Sequence, residues 1–487
     1  MSPDCRTRLL MAREMQRAGQ PAVAEGLYRS VLQEQARLPE VWRELGVLCL
    51  LQGRAAEAAD CFERLLALQP DDAGACNNLG LARERCGQPA AARAAYEQGL
   101  LRAPDHADTL NNLGNLLRAL GEHERALAMF DRLVQIEPQA ADAHNNRGRV
   151  LHELARCAEA GLAYRQALAL APDYAEAHWN AALNLLLEGD YPAGWKAYEW
   201  RWKKPSFTSR RRSFRQPQWL GQTSLQGRSL LIHAEQGLGD TLQFLRYLPR
   251  LRAAGAEVIL EVQPGLKRLC EHAFAGIRVL AQGETLPQTD FHSPLLSLPL
   301  AFGDTLASIP CERAYLKPDP AALAAWQQRL ASLPGPRIGL VWSGSAAHQD
   351  DANRSLPLAS LQPLQALDAG FVSLQKALRP LDRPAFEAWP GLLDASSGLE
   401  DFADTAALVA ALDLVIAVDT SVAHLAGALG VPVCILLSPT PEWRWLLERT
   451  DSPWYPSARL FRRTRGEGVE PMIAALVAEL RETVLRR

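Results

Sequence analysis

The stretch Leu414–Ala428, LVIAVDTSVAHLAGA, decides the fold of the second half of this chain. Its first five residues are apolar and rich in β-branched side chains, which predicts a buried parallel strand. The next three, Asp419–Ser421, are suited to helix N-capping, and Val422–Leu429 has the pattern of a helix. The free backbone N–H groups at the start of such a helix point past the carboxyl end of the sheet, where phosphate commonly binds. His424 lies on the first turn, within reach of a phosphate or ribose, although a helix cap followed by a surface histidine explains the same residues.

Strands and helices alternate around this stretch, from Gly227 onwards. We predict strands at Ser229–His233, Glu257–Val262, Ile277–Leu280, Ile338–Trp342, Phe371–Leu374, Leu414–Val418 and Val433–Leu437, with helices that include Thr241–Ala253 and Leu266–Ala273. Such alternation is typical of parallel sheets flanked by helices. The sequence therefore predicts two Rossmann-type α/β domains, residues 228–333 and 334–487, with a cleft between the carboxyl ends of their strands.

The loop Glu235–Asp240, EQGLGD, joins the first predicted strand to its helix. It begins like a dinucleotide-binding fingerprint, but Leu242 stands at the place of the third glycine, and Gln263 rather than an acidic residue follows the next strand. An NAD site is therefore a weak interpretation. The glycines still permit close approach of a ligand, and Asp240 at the helix start can accept a proton from an attacking hydroxyl group. A helix N-cap is the alternative role for this aspartate.

The first 204 residues repeat with a period of 34. The recurring residues are the glycines Gly19, Gly53, Gly87, Gly121 and Gly189 (Ala155 fills the one gap), the aromatic residues Tyr28, Phe62, Tyr96, Phe130, Tyr164 and Tyr198, and the prolines Pro70, Pro104, Pro138 and Pro172. This pattern describes a stacked helix–turn–helix, and it resembles the tetratricopeptide (TPR) repeat, with Trp42, Gly46 and Ala58 on signature positions. We therefore predict an all-α solenoid of about six repeats with a concave groove.

Asparagine recurs in register on the first helices of these repeats, at Asn78, Asn112, Asn146 and Asn180. Because asparagine is a mediocre helix former, four in register require an explanation. A ladder of side-chain amides can bind the backbone of an extended peptide, as a comparable ladder does in the TPR region of the O-linked N-acetylglucosamine transferase. The alternative is that these amides hydrogen-bond to neighbouring repeats.

Residues 205–227 combine basic and aromatic side chains without periodicity, and we interpret them as a linker. Such a run can contact phosphates or an anionic membrane, but a solvated connection packed by its aromatic residues is the interpretation we favour.

Composition excludes several classes of protein. The net charge of −3 provides no general attraction to nucleic acid, and the nine cysteines are scattered without ligand spacing, so we expect a reducing cytoplasm and no zinc site. No signal peptide is predicted behind the N-terminal arginines, and the longest apolar region is interrupted by charges, so no transmembrane segment is expected.

The second half of the chain resembles the heptosyltransferase type of glycosyltransferase family 9 across roughly Arg228 to Arg465. The resemblance is carried by GLGDTLQFLRYLPRL, IGLVWSG and DTAALVAALDLVIAVDTSVAHLAGALGVPV. It implies a GT-B fold, with a sugar nucleotide bound to the C-terminal domain and an inverting transfer without metal. The residues that it assigns are Asp240 as acceptor base, Arg354 beside the diphosphate, and Ser343, Gly344, Asp419, Thr420, Ser421 and His424 around the donor. Gly237 and Gly239 are the glycines of the EQGLGD loop that permit close approach of the ligand. Two positions depart from the family: Arg354 stands where a lysine is usual, and Ser421 follows Asp419-Thr420 where glycine is common, so the nucleotide base cannot be transferred.

The residue types fit this chemistry. Transfer from a sugar nucleotide needs a base for the incoming hydroxyl group and positive charge or amide donors for the departing diphosphate. No DxD pair is present in a suitable loop, since Asp350 and Asp351 are adjacent, and so no metal and no cofactor are expected. Gln375 and Lys376, at a strand end, are within reach of the base or ribose, although rim positions are the commoner role.

Three classes of function remain open on the sequence. The first is a cytoplasmic glycosyltransferase whose repeats recruit a polypeptide acceptor, which the asparagine ladder favours. The second is a glycosyltransferase that acts on a lipid-linked or envelope saccharide and docks a partner through its repeats. The third is a TPR scaffold with a relic nucleotide-binding domain, against which the retention of Asp240, Arg354 and His424 counts.

Overall fold

The structure of the protein is a computed structural model, which describes residues 2–209, 211–346 and 351–483. Arg210 of the predicted linker and Asp350 of the adjacent aspartate pair lie outside the described residues. Internal contacts divide the chain into a first unit, residues 1–180, and a second unit, residues 181–487. None of the helices in the described ranges has the length and apolarity needed to cross a bilayer.

The repeat region is helical, as the 34-residue period predicts. Its helices are α1 Pro3–Arg17, α2 Pro21–Glu34, α3 Pro39–Leu51, α4 Ala55–Leu68, α5 Ala73–Arg85, α6 Pro89–Arg102, α7 Ala107–Ala119, α8 His123–Ile136, α9 Ala141–Glu153, α10 Cys157–Leu170, α11 Ala175–Glu188 and α12 Tyr191–Tyr198. Each recurring aromatic side chain is buried. The Phe62 and Tyr96 rings, for example, lie so close to Gly46 and Gly80 of the preceding helix that a Cβ there would meet ring carbons at 2.8 and 2.4 Å. The pairing of ring and glycine therefore sets the close contact of the two helices within a repeat.

The turn between the helices of each repeat requires a left-handed backbone. The recurring glycines all have positive φ, such as +72° at Gly19 and +78° at Gly121. Ala155, which fills the gap in the glycine series, adopts φ +60°. The fold thus imposes the same conformation on a residue with a Cβ, at a conformational cost.

The second unit contains two parallel sheets. The first has the order β3-β2-β1-β4 and the second the order β10-β9-β8-β5-β6-β7. The strands are β1 Ser229–His233, β2 Glu257–Val262, β3 Arg278–Ala281, β4 Phe291–Pro294, β5 Arg337–Val341, β6 Gly370–Ser373, β7 Leu392–Asp394, β8 Leu414–Val418, β9 Val433–Leu437 and β10 Ala458–Arg462. Counted within itself, the second sheet has the doubly wound order 3-2-1-4-5-6, which reverses between β5 and β8.

Helices connect these strands. They are α13 Leu238–Phe244, α14 Leu248–Ala253, α15 Lys267–Ala273, α16 Leu298–Phe302, α17 Pro320–Arg329, α18 Asp351–Arg354, α19 Arg383–Glu387, α20 Phe402–Ala410, α21 Ser421–Leu429 and α22 Glu470–Thr483. The strands predicted at 229–233, 257–262, 414–418 and 433–437 are confirmed to the residue. The predicted start of the Thr241–Ala253 helix is wrong, because helix α13 already begins at Leu238.

The last repeat helix, α12, packs with the second unit. The Trp195 ring lies edge-on to Phe244 and to Trp443, with centroids 5.8 and 5.2 Å apart. Just beyond α12, the buried Arg201 side chain donates to both carboxylate oxygens of Glu235 at 2.9 Å. These contacts explain why the boundary between the two units lies before α12, although the repeat pattern in the sequence continues to residue 204.

The linker is held by packing, as the favoured interpretation predicts. The Phe214 ring stacks on His292 of β4 at 4.1 Å, and Arg212 pairs with the buried Glu261. The backbone N–H of Trp219 donates to the His292 carbonyl at 2.8 Å. The linker therefore follows the β4 edge of the first sheet.

Candidate functional site

A cleft of about 960 Å³ opens at the carboxyl ends of β5 and β8, where the strand order of the second sheet reverses. This is the usual ligand position of doubly wound sheets. The start of α13, from the first sheet, also lines this cleft. The structure brings all twelve candidate residues of the second half to this cleft: Gly237, Gly239, Asp240, Ser343, Gly344, Arg354, Gln375, Lys376, Asp419, Thr420, Ser421 and His424.

Several residues that line the cleft have a polar atom that is buried without a hydrogen-bond partner in the part of the chain that the structure describes. Among these atoms are Ser343 Oγ, Arg354 Nε and Thr420 Oγ1. Leaving such a group unsatisfied typically costs about 1–3 kcal/mol. Buried polar groups in native proteins are nearly always satisfied, so unsatisfied donors around a cleft indicate a polar ligand.

The Arg354 guanidinium lies directly over Gly344. A Cβ on this glycine would be 2.8 Å from Arg354 Nη2, so only glycine leaves room for the arginine. Arg354 Nη1 also donates to the Asp419 carbonyl at 3.3 Å, which brings the cation to the start of α21. Because a helix N-terminus carries partial positive charge, the two features act on the same region of the cleft.

Thr420 is the N-cap residue of α21, but its side chain makes no capping bond. The first hydrogen bonds at this end run from the N–H groups of Ala423 and His424 to the Thr420 carbonyl. Ser421 and Val422, whose backbone N–H groups precede these bonds, are among the residues that line the cleft.

Gln375 and Arg379 fix the loop that follows β5. Gln375 Nε2 donates to the Ser343 carbonyl at 3.0 Å, and Arg379 Nη2 donates to the Gly344 carbonyl at 2.8 Å and to Asp351 at 2.7 Å. Lys376 Nζ instead donates to the Glu400 carbonyl at 2.8 Å. Gln375 therefore positions the loop, and the sequence analysis did not single out Arg379.

His424 is buried rather than a surface histidine. Its ring stacks on Trp445 with centroids 5.4 Å apart, and its Nδ1 lies 2.9 Å from the Tyr455 hydroxyl oxygen. Burial, with the positive charges of Arg444 and Arg246, holds the pKa of His424 well below its usual value, so the imidazole is neutral.

Gly239 packs against the same imidazole. A Cβ at Gly239 would lie 2.9 Å from His424 Cδ2, so this glycine allows the close approach of α13 and α21. Gly239 thus has a packing role between α13 and α21.

Asp240 lies in the first turn of α13 instead of at its N-cap. One carboxylate oxygen accepts from the Gly237 N–H at 2.8 Å, and the other pairs with Arg444. The second terminal nitrogen of Arg444 pairs with Glu442. The sequence analysis did not single out Glu442 or Arg444, because no periodicity marks a loop residue as facing a cleft.

Burial raises the pKa of Glu442 to about 7; the Arg444 charge opposes this shift and the Asp419 carboxylate adds to it. Burial likewise raises the pKa of Asp419. Five carboxyl groups line the cleft, those of Asp240, Glu400, Asp401, Asp419 and Glu442, together with the guanidinium groups of Arg354, Arg379, Arg444 and Arg462. A search of the described ranges finds no cluster of side chains that could hold a metal ion.

In the repeat region, the asparagine ladder connects neighbouring repeats. Nδ2 of Asn112 donates to Asn77 Oδ1 at 2.9 Å, and Nδ2 of Asn146 donates to Asn111 Oδ1 at 3.1 Å. Asn180 repeats the bond to Asn145 at 2.9 Å, and Asn78 accepts from Asn77 at 3.3 Å. These bonds provide the structural role that was the alternative to peptide binding, while the four ladder side chains remain only partly buried.

Known protein families match both the repeat region and the second half of the chain. The tetratricopeptide repeat model matches residues 9–73, 77–141 and 113–175. The model of glycosyltransferase family 9 (heptosyltransferase) matches residues 398–471, which include Asp419, His424 and Glu442. The predicted resemblance, TPR repeats followed by a region similar to family 9 glycosyltransferases, is therefore confirmed.

A curated relative is similar to more than half of this chain. Protein FlbA of Caulobacter vibrioides is 31% identical over 326 residues, which cover 61% of this chain and 54% of FlbA. The chain thus spans about half the length of that relative.

Solved structures resemble the repeat region. A tetratricopeptide repeat protein from Parabacteroides merdae is 15% identical with a TM-score of 0.38, over 41% of this chain and 78% of its own. YrrB, described as a TPR protein with an unusual peptide-binding site, is 19% identical with a TM-score of 0.32, over 35% of this chain and 88% of its own.

Proposed function

We propose that the protein is a glycosyltransferase that moves a sugar from a nucleotide donor, bound in the cleft, to an acceptor recruited by the TPR repeats. The observation that carries this proposal is the set of buried, unsatisfied polar groups, Ser343 Oγ, Arg354 Nε and Thr420 Oγ1, at the reversal point of a doubly wound sheet. The family 9 match over residues 398–471 supports the same reaction class.

The diphosphate of the donor occupies the region between Arg354 and the start of α21. The guanidinium group and the backbone N–H groups of Ser421 and Val422 neutralise the charge that develops as the diphosphate departs. Arginine suits this role because its fork can bind two phosphate oxygens at once. In this proposal these groups do the work that a metal ion does in other transferases.

Asp240 accepts the proton of the incoming hydroxyl group. It enters the cleft from α13 of the first sheet, beside the start of α21, where an acceptor hydroxyl group next to the donor can reach it. Attack in line with the leaving group inverts the configuration at the anomeric carbon, and no second nucleophile is required.

The acceptor that we propose is a protein. TPR repeats are commonly protein-binding surfaces, and the partly buried ladder amides at Asn78, Asn112, Asn146 and Asn180 offer polar groups that do not select a sequence.

Calorimetric titration with UDP, GDP, ADP and CDP tests the donor site. We expect at least one of them to bind and to raise the unfolding temperature. Arg354→Gln removes the positive charge and should weaken that nucleotide by about 1–3 kcal/mol. Arg383→Gln, an exposed arginine in the same half, is the matched control and should leave the affinity unchanged. If none of the four nucleotides binds, or if Arg354→Gln binds as well as the parent, the proposal is wrong.

A further inference from the structure

Tyr455 makes the hydrogen bond that holds the buried imidazole ring of His424. Its hydroxyl oxygen lies 2.9 Å from His424 Nδ1, and the tyrosine itself is buried. The tyrosine ring is fixed on two sides. It packs on Gly427 of α21, where a Cβ would meet a ring carbon at 2.4 Å, and the Arg246 guanidinium carbon lies 4.7 Å from its centre. The tyrosine and the histidine therefore have one arrangement, and their other neighbours decide which of them carries the shared proton.

The proton in this bond belongs to the tyrosine. A neutral imidazole has one N–H donor and one acceptor nitrogen. If His424 Nδ1 carried the proton, the Tyr455 O–H would have to turn to the neighbouring Tyr315 hydroxyl group. The Tyr315 oxygen already accepts from Arg246 at 3.2 Å, while its own proton goes to the Leu242 carbonyl at 2.8 Å. An imidazole nitrogen is also a stronger acceptor than a phenol oxygen. Since buried hydroxyl groups are rarely left unsatisfied, Tyr455 donates to Nδ1.

The other ring nitrogen of His424, Nε2, then carries the N–H and faces the cleft. His424 is among the residues that line the cleft, and its Nε2 lies 3.8 Å from Asp419 Oδ1. This distance is too long for a hydrogen bond. An N–H directed towards that carboxyl oxygen is nevertheless favourable, whereas a lone pair on Nε2 would face a second acceptor. Both sides of the ring thus select the same tautomer.

The surroundings of His424 suit a donor without charge. The ring stacks on Trp445 with centroids 5.4 Å apart. Burial and the positive charges of Arg444 and Arg246 hold the pKa of His424 well below its usual value. The imidazole therefore keeps a lone pair on Nδ1 for the tyrosine and presents an N–H, rather than a cation, to the cleft.

We propose, on the basis of the donor site described above, that Tyr455 is a positioning residue, which keeps His424 as a neutral Nε2–H donor to an oxygen of the departing diphosphate. His424 lies on the first turn of α21, beside the N–H groups that face the diphosphate in that site. The negative charge that develops on the diphosphate is then shared between Arg354, these backbone groups and the imidazole N–H. No proton is transferred to or from the histidine in this role.

Nitrogen NMR of the parent protein tests the tautomer. The full chain is labelled with ¹⁵N-histidine, and the His424 resonances among those of the ten histidines are the ones that disappear in His424→Gln. At about pH 7, long-range ¹H–¹⁵N correlation should show Nε2 as the protonated nitrogen and Nδ1 as an acceptor. A proton on Nδ1 in the parent protein overturns the inference.

Tyr455→Phe removes only the hydroxyl group and keeps the ring that packs on Gly427. The Nδ1 resonance of His424 should move downfield in this variant, towards the position of an acceptor nitrogen that has no donor. Tyr247→Phe is the matched control, because it removes a buried hydroxyl group that donates to Asp304 at 2.6 Å, and it should leave both His424 resonances in place. An unchanged Nδ1 resonance in Tyr455→Phe overturns the role of the tyrosine. If that variant does not fold, the tautomer of the parent protein decides.

Nucleotide titration separates this inference from the proposed function. The nucleotide that binds best among UDP, GDP, ADP and CDP should move the Nε2–H proton resonance of His424 downfield, and the corresponding nucleoside, which has no phosphate, should not. Tyr455→Phe should raise the Kd of this nucleotide by roughly 2–10-fold, the effect of one neutral hydrogen bond, and Tyr247→Phe should leave it unchanged.

Each result of the titration has a definite meaning. If the nucleotide binds and the Nε2–H resonance stays in place, or if the nucleoside moves it equally, the contact with the diphosphate is overturned and the donor site stands. An unchanged Kd in a folded Tyr455→Phe likewise overturns the role of the tyrosine alone. If none of the four nucleotides binds, the donor site and the contact are both wrong.

Discussion

At the scale of single residues, Asp240 has two roles that one substitution can separate. Asp240→Asn keeps the side-chain oxygen that accepts from the Gly237 N–H, but it cannot take up a proton. We therefore expect the variant to fold and to bind nucleotide, while transfer to a cognate acceptor falls by roughly 10²–10⁴-fold. Turnover close to that of the parent would show that the aspartate only caps its helix, and circular dichroism provides the check that the variant is folded.

A second prediction concerns the pKa of Glu442 and its effect on the stability of the protein. Its pKa is about 4.5 in the unfolded chain and is raised to about 7 in the folded protein. A raised pKa adds stability that is fully present below pH 4.5 and is lost as the pH rises through 7. Glu442→Gln should therefore gain stability relative to the parent between pH 5 and pH 8, by about 1–3 kcal/mol. Urea unfolding at pH 5 and at pH 8 measures the difference in unfolding free energy between the variant and the parent. If this difference is the same at the two pH values, the pKa of Glu442 is not raised and the prediction is wrong.

The cleft residues that directly follow a strand could be predicted from the sequence. Ser343, Asp419 and their neighbours follow directly on buried strands, so the topology of a parallel sheet brings them together. It could not predict the environment of His424, because Trp445 and Tyr455, which bury the ring, are 21 and 31 residues further along the chain. Such contacts leave no local pattern.

At the scale of elements, the misplaced start of α13 has a local cause. The Asp240 carboxylate accepts the N–H of Gly237, which takes the N-cap position, and the helix begins three residues earlier than the apolar pattern suggests. Strands β4, β7 and β10 were not predicted. They are only three to five residues long and include polar residues, so they lack the buried apolar run that identified their neighbours.

The repeat turns provide a prediction at this scale. Ala155 adopts φ +60° where the other turns have glycine, and a left-handed conformation is unfavourable for a residue with a Cβ. Ala155→Gly should therefore stabilise the repeats by about 0.5–1 kcal/mol, after the greater freedom of glycine in the unfolded chain is subtracted. Gly121→Ala is the matched opposite, since φ is +78° there and no heavy atom lies within 4 Å of the added Cβ. Gly121→Ala should lower the unfolding free energy by a similar amount, as measured by urea unfolding. A lower urea midpoint for Ala155→Gly than for the parent would contradict the prediction.

At the scale of the whole molecule, the two proposed tasks belong to different units. The cleft residues all lie in the second unit, and the inter-repeat asparagine bonds lie in the first. The repeats were predictable because a 34-residue period is visible in the sequence alone. The sequence could not decide what the ladder amides bind, since a bond to a peptide and a bond to the next repeat require the same residue at the same spacing.

A double substitution, Asn112→Ala with Asn146→Ala, distinguishes the two uses of the ladder. It removes the hydrogen bonds to Asn77 and Asn111, at 2.9 and 3.1 Å, and should lower the unfolding free energy by about 1–3 kcal/mol. Nucleotide affinity and donor hydrolysis should not change, because both depend on the second unit. If the ladder also binds the acceptor, KM for a protein acceptor should rise with kcat unchanged, which is the kinetic signature of lost uniform binding. Asn115→Ala, which loses bonds only within its own helix, to the Asn111 carbonyl at 3.0 Å and to Asn111 Oδ1 at 3.4 Å, is the control for stability. Unchanged kinetics on a true acceptor, together with the loss of stability, would leave the ladder as a connection between repeats and move the recognition of the acceptor elsewhere on the molecule.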